Sequence, residues 1–107
     1  MRITLDEPQV DLLAAVDAGN VHTDPRFTLP DFERVPGEPG HRRATQRLQP
    51  LKDYRLVELD PDTPPDRWGV RPYRLTGLGE RVLAEAREQE AADRAGEAEP
   101  AASGPDR

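Results

Sequence analysis

The chain contains no cysteine, which removes disulfide staples and thiolate metal ligands together. Aromatic residues are scarce, with one tryptophan, two tyrosines and two phenylalanines. Ser103 is the sole serine and stands in no nucleophile motif. His22 and His41 lie too far apart for a paired zinc-ligand spacing. Asp60, Asp62 and Asp66 resemble a calcium loop only superficially, because Pro61, Pro64 and Pro65 interrupt it and the required glycine is missing. No glycine-rich loop is available to cradle a phosphate. These absences leave no motif for catalysis and no ligand set that calls for a cofactor, so a non-enzyme is expected. No apolar run approaches the roughly 20 residues of a spanning helix. The opening residues, Met1 to Glu7, turn acidic without a secretory apolar stretch. The expectation is a cytoplasmic protein with no membrane partner.

Charge is plentiful, at 34% of residues against 35% hydrophobic, and the formal net charge is −6. Its distribution matters more than its total. Residues 1–40 carry three basic against eight acidic side chains, and residues 82–107 carry three against seven. Residues 41–81 reverse the sign, with nine basic and six acidic. A local positive field can hold phosphates even when the whole chain is acidic. A charge-rich domain also shows such a stretch by chance, so both readings stand at this point. Fourteen of the fifteen basic residues are arginine.

Along the chain, Asp6-Glu7-Pro8 has the form of a helix start, and Gly19-Asn20 of a stop. Val10, Leu12, Leu13 and Val16 recur between them at near-helical spacing. Residues 20–40 are rich in proline and glycine. Phe27, Leu29, Phe32 and Val35 are their apolar anchors, Arg26–Leu29 reads as a short strand, and Pro30–Val35 as one helical turn. A second helix is expected from Gly40 or His41, with Ala44, Leu48 and Leu51 on its apolar face and Arg43 and Arg47 on another. Pro50 should kink that helix or restart it. Tyr54–Leu59 alternates like a strand, residues 60–67 form a proline-rich loop, and Val70–Leu75 pairs back antiparallel. Trp68 reads as a lid on the core under that loop sooner than as a ligand platform. Thr76 caps a last helix with Leu78, Val82, Leu83 and Ala86 on its apolar face, which should fray by Gly96. Residues 1–95 are expected to form the domain and 96–107 a disordered acidic tail.

The run Arg43-x-x-x-Arg47-Leu48-x-x-Leu51, continuing to Leu56-Val57, looks like a recognition helix stepping into a wing. Tyr73-Arg74-Leu75-Thr76-x-x-Gly79-x-x-Val82-Leu83 is similar to a second wing strand entering a final helix. In this order the residues resemble the winged helix-turn-helix family of the small bacterial MarR/PadR-like type, over roughly residues 6–90. The resemblance implies an α+β fold of about three helices with a small antiparallel hairpin wing. It also implies a transcriptional regulator that binds double-stranded DNA and permits a homodimer. Segment 41–52 would enter the major groove, presenting Arg42, Arg43, Gln46, Arg47 and Lys52, while the 60–72 wing would add Arg67, Arg71 and Arg74. The same side chains also suit a solvated helix face and charged strand edges. The rival function is a winged-helix module that binds a protein partner without touching DNA.

Overall fold

The structure is a computed structural model that describes residues 4–103, with side chains described for residues 4–95. Helix α1 (Glu7–Asp17) begins and ends on the residues that its sequence marks. The Asp6 carboxylate accepts from the Gln9 backbone N–H, and the Gln9 side chain accepts from the Asp6 N–H, closing a capping box. Pro8 fills the first turn, where its missing N–H costs nothing. Gly19, at a φ of +79°, turns the chain out of the helix.

Residues 20–43 form three short strands, β1 (Val21–Thr23), β2 (Asp31–Glu33) and β3 (Arg42–Arg43). This corrects the expected strand at Arg26–Leu29, which is a turn, and the expected helical turn at Pro30–Val35, which is strand β2 with its flanks. Helix α2 (Thr45–Asp53) therefore starts four to five residues later than its sequence suggests. It also runs through Pro50 as one helix. Pro50 forgoes one backbone bond, and the burial of Leu48 and Leu51 against the core holds the turn in place.

Strands β4 (Val57–Leu59) and β5 (Arg71–Leu75) form the expected antiparallel hairpin around residues 60–70, and α3 (Gly77–Ser103) follows. The Thr76 hydroxyl accepts from the Gly79 N–H and donates to the Arg55 carbonyl, so one side chain caps α3 and ties it to the turn before β4. The helix runs through Ser103, past the expected fraying point at Gly96, although alanines are its only apolar residues after Ala86; residues 104–107 of the expected tail lie outside the described residues.

All five strands join one antiparallel sheet in the order β3-β2-β1-β5-β4. The architecture is thus α+β with three helices, as expected, but the sheet is larger than a hairpin. Register assigns its faces. Val21, Asp31, Tyr73, Leu75 and Val57 point to one side, where they are buried with Leu12, Leu13 and Val16 of α1, Leu48 and Leu51 of α2, and Val82 and Leu83 of α3. Leu56 and Val57 are both buried, and Leu78 packs half-buried at the margin. The opposite face carries the row Pro72, His22, Phe32 and Arg43, paired strand to strand. No described helix covers that row.

Among the described residues, no helix is long and apolar enough to cross a membrane.

Candidate nucleic-acid interface

The basic residues of segment 41–52 do not share one helical face, because Arg42 and Arg43 lie on β3 and not on α2. Successive strand residues point to opposite sides of a sheet. Arg42 stands opposite Glu33 and pairs at 3.2 Å with Glu38, whereas Arg43 stands opposite Phe32 on the uncovered face. Arg43 makes no ion pair among the described residues.

Arg47 occupies the first turn of α2. Its guanidinium donates to the Arg43 carbonyl at 2.7 Å and to Glu33 at 2.9 Å, bracing the helix start against strands β2 and β3. Ala44 precedes the helix and offers no side-chain cap. The first N–H groups of α2 are therefore left for solvent or an incoming anion. Gln46 and Gln49 are exposed on the outer face of the helix, while Ala44, Leu48 and Leu51 are buried. Arg42, Arg43, Gln46 and Arg47 thus all reach the surface around this corner.

Lys52 turns the other way. Its ammonium donates at 2.9 Å to Asp31, which is only 1% exposed and also accepts from the Tyr73 hydroxyl at 2.7 Å. Desolvation opposes the Lys52 charge, but the Tyr73 hydroxyl and the Asp31 carboxylate together outweigh it and raise the pKa. The Asp31 backbone completes the knot, its N–H donating to the Thr45 hydroxyl and its carbonyl accepting from Ala44. Lys52 therefore serves the core and lies outside the exposed corner.

The wing arginines are engaged as well. Arg74 pairs with Glu58 at 2.8 Å and reaches Asp62 and Asp60. Arg71 donates to the Asp60 carbonyl at 3.2 Å. Asp60 itself is held below the usual carboxylate range, chiefly by the Asp62 backbone N–H and the Thr63 hydroxyl. The Asp66 carboxylate accepts from the Trp68 and Val70 N–H groups and folds the tip of the loop. Arg67 stacks on the Trp68 ring at 4.0 Å, and Arg26 lies over it at 5.2 Å. Trp68 is 46% exposed, so it is an aromatic platform between two arginines and not the expected lid on the core.

Two of the anchors expected in residues 20–40 also face solvent, Phe27 at 58% and Leu29 at 39% exposed. With Thr28, Pro30, Asp31, Phe32, His41 and Arg43 they line an open groove of about 460 Å³. Phe32 sits between two imidazoles, stacked on His22 at 5.5 Å and tilted against His41 at 4.6 Å. His22 is held below its ordinary pKa, first by burial and then by the Arg34 charge. Sequence reasoning treats Phe32 as a core anchor and assigns no role to His41. The only available signal is the three-residue alternation Asp31-Phe32-Glu33, too short to reveal a strand.

The chain matches no protein-family model, and no curated protein and no solved structure matches it significantly.

Proposed function

We propose that this chain is a winged-helix-like module that binds double-stranded DNA through the corner formed by β3 and the start of α2. The observation that carries the reading is the exposure of Arg42, Arg43, Gln46 and Arg47, of which Arg42 and Arg47 rest on Glu38 and Glu33, while Ala44, Leu48 and Leu51 anchor the same segment in the core. The order α2, β4, loop, β5, α3 adds support, being that of a recognition helix followed by a wing. Arginine reads guanine edges or holds phosphate, and an exposed glutamine reads adenine. The 60–70 loop contributes little in this scheme, because Asp60, Asp62 and Asp66 oppose phosphate while Arg71 and Arg74 are bound internally. The engaged arginines and the Trp68 platform favour the second reading, a protein partner docked at the loop tip.

Binding of duplex fragments at about 50 and 200 mM salt separates the two readings. The DNA reading expects affinity that falls steeply with salt. It also expects a loss of roughly 1–3 kcal/mol for each base contact removed by the double variant Arg42→Ala, Gln46→Ala. The charge-matched change Arg87→Ala, Arg94→Ala should leave binding intact, since those arginines pair on or beside α3, with Asp17 and Glu90. Absence of duplex binding at the lower salt would sink the reading.

A further inference from the structure

The uncovered sheet face differs in chemistry from the α2 corner, and it carries rings where that corner carries none. His22, Phe32 and Arg43 stand side by side across β1, β2 and β3. His41 leans on Phe32 from the preceding loop, and Phe27 and Leu29 wall the groove above. Arg34 directly follows β2, close enough for His22 to register its charge.

The charges here are unbalanced. Arg34 and Arg43 make no ion pair among the described residues, whereas four nearby carboxylates are paired with other cations and Asp66, whose charge His22 also registers, accepts from the Trp68 and Val70 N–H groups. Asp24 is paired with Arg26, Asp31 with Lys52, Glu33 with Arg47 and Glu38 with Arg42. The Arg26 guanidinium beside Asp24 also holds that carboxyl below its ordinary range, so it stays ionised and bound. The face therefore presents ring surfaces to solvent together with cations in need of anions.

A duplex hides its base faces in the stack, and an acidic peptide offers rings only where it happens to carry an aromatic residue. A single strand supplies both a phosphate chain and exposed bases, the combination that sheet faces with aromatic and basic residues accept. We propose that this face binds single-stranded nucleic acid, with a base stacked on the exposed His41 ring, which Phe32 backs, and the adjoining phosphates held by Arg43 and Arg34. The groove volume of about 460 Å³ falls within the range that encloses ligands of nucleotide size. It is open to solvent, so the strand continues across the sheet in both directions.

The test is fluorescence anisotropy with a labelled oligothymidylate of about a dozen nucleotides. The whole chain should bind it, and binding should weaken as salt rises. Phe32→Ala should weaken binding about tenfold, because the His41 ring loses the surface that holds it for the base, while Phe32→Tyr retains it. Phe32 is half-buried, so thermal melts accompany each variant. The exposed His41→Ala and Arg43→Ala carry the test if Phe32→Ala unfolds, each weakening binding several-fold, Arg43→Ala with a shallower salt slope as well. Amide resonances of His22, Phe32, His41 and Arg43 should shift on addition of the oligonucleotide, and those of Gln46 and Gln49 should not. Shifts confined to α2 would overturn the proposal, as would unchanged affinity in both His41→Ala and Arg43→Ala. Competition by polyglutamate as effective as by the unlabelled strand would show simple charge attraction or a peptide site. Thymidine monophosphate competing equally would make a free nucleotide the ligand.

Discussion

Asp31 joins three parts of the molecule through one carboxylate. Its oxygens receive Lys52 from α2 and Tyr73 from β5, which lies two strands away in the sheet. Removing it strands a partly buried ammonium and a buried hydroxyl, a situation that costs far more than an exposed pair is worth. Lys52 and Tyr73 both hold their protons more firmly in the folded chain. Lys52 does so against desolvation because Tyr73 and Asp31 outweigh it, and Tyr73 because of its own burial first and Asp31 after. Groups raised in this way contribute fully below their unfolded values, 10.5 and 10.0, and lose that contribution as pH climbs through the folded values. The melting temperature should therefore fall above pH 10. Asp31→Ala should cost about 3–5 kcal/mol at neutral pH and make the alkaline fall shallower. Denaturant melts from pH 7 upward check both, and an unchanged midpoint in Asp31→Ala would remove the network from the account of stability.

Among the elements, α3 is fixed most closely at its first turn. Thr76 caps it, and Gly79 lies so near the turn before β4 that an added Cβ would overlap the Leu56 carbonyl. Gly79→Ala should destabilise by about 1–3 kcal/mol, because backbone has to move to admit one methyl. Gly77 faces open space two residues earlier, and Gly77→Ala should be neutral or stabilising by up to about 1 kcal/mol. Thermal melts of the two variants compare the same substitution with and without the close approach. The helices with chemical punctuation were legible in the sequence. Asp6, Pro8 and Gly19 bound α1 where expected, and Thr76 starts α3. The start of α2 was not legible, since Ala44 gives no capping signal and Arg42-Arg43 suits a helix or an edge strand equally. Strands of two and three residues such as β2 and β3 are too short to show a period. The site divides along the same line. Exposure of Arg47 followed from the buried helix positions around it, whereas Arg43, expected on the same helix, is exposed from strand β3, and the inward turn of Lys52 depends on Asp31 across the fold.

At the scale of the whole molecule, the helices crowd one side of the sheet and leave the loops 24–30 and 60–70 together at one end. Pro25 touches Gly69 there, and Arg26 reaches across to Trp68. The sheet itself is assembled from two pieces that are local in sequence, β1 with β2 and β4 with β5, joined along a seam that pairs His22 with Pro72 and Thr23 with Arg71. That seam closes a long loop, whose entropy must be met before the core contacts repay it. The expected order of events on the folding pathway is that the local pairings form first and the seam joins them last, as α1 settles over β5. A weakened seam would then show itself in escape from the native state and not in the approach to it. Thr23→Ala should speed unfolding while leaving the refolding rate nearly unchanged in stopped-flow measurements, and slowed refolding would instead put the seam at the nucleus.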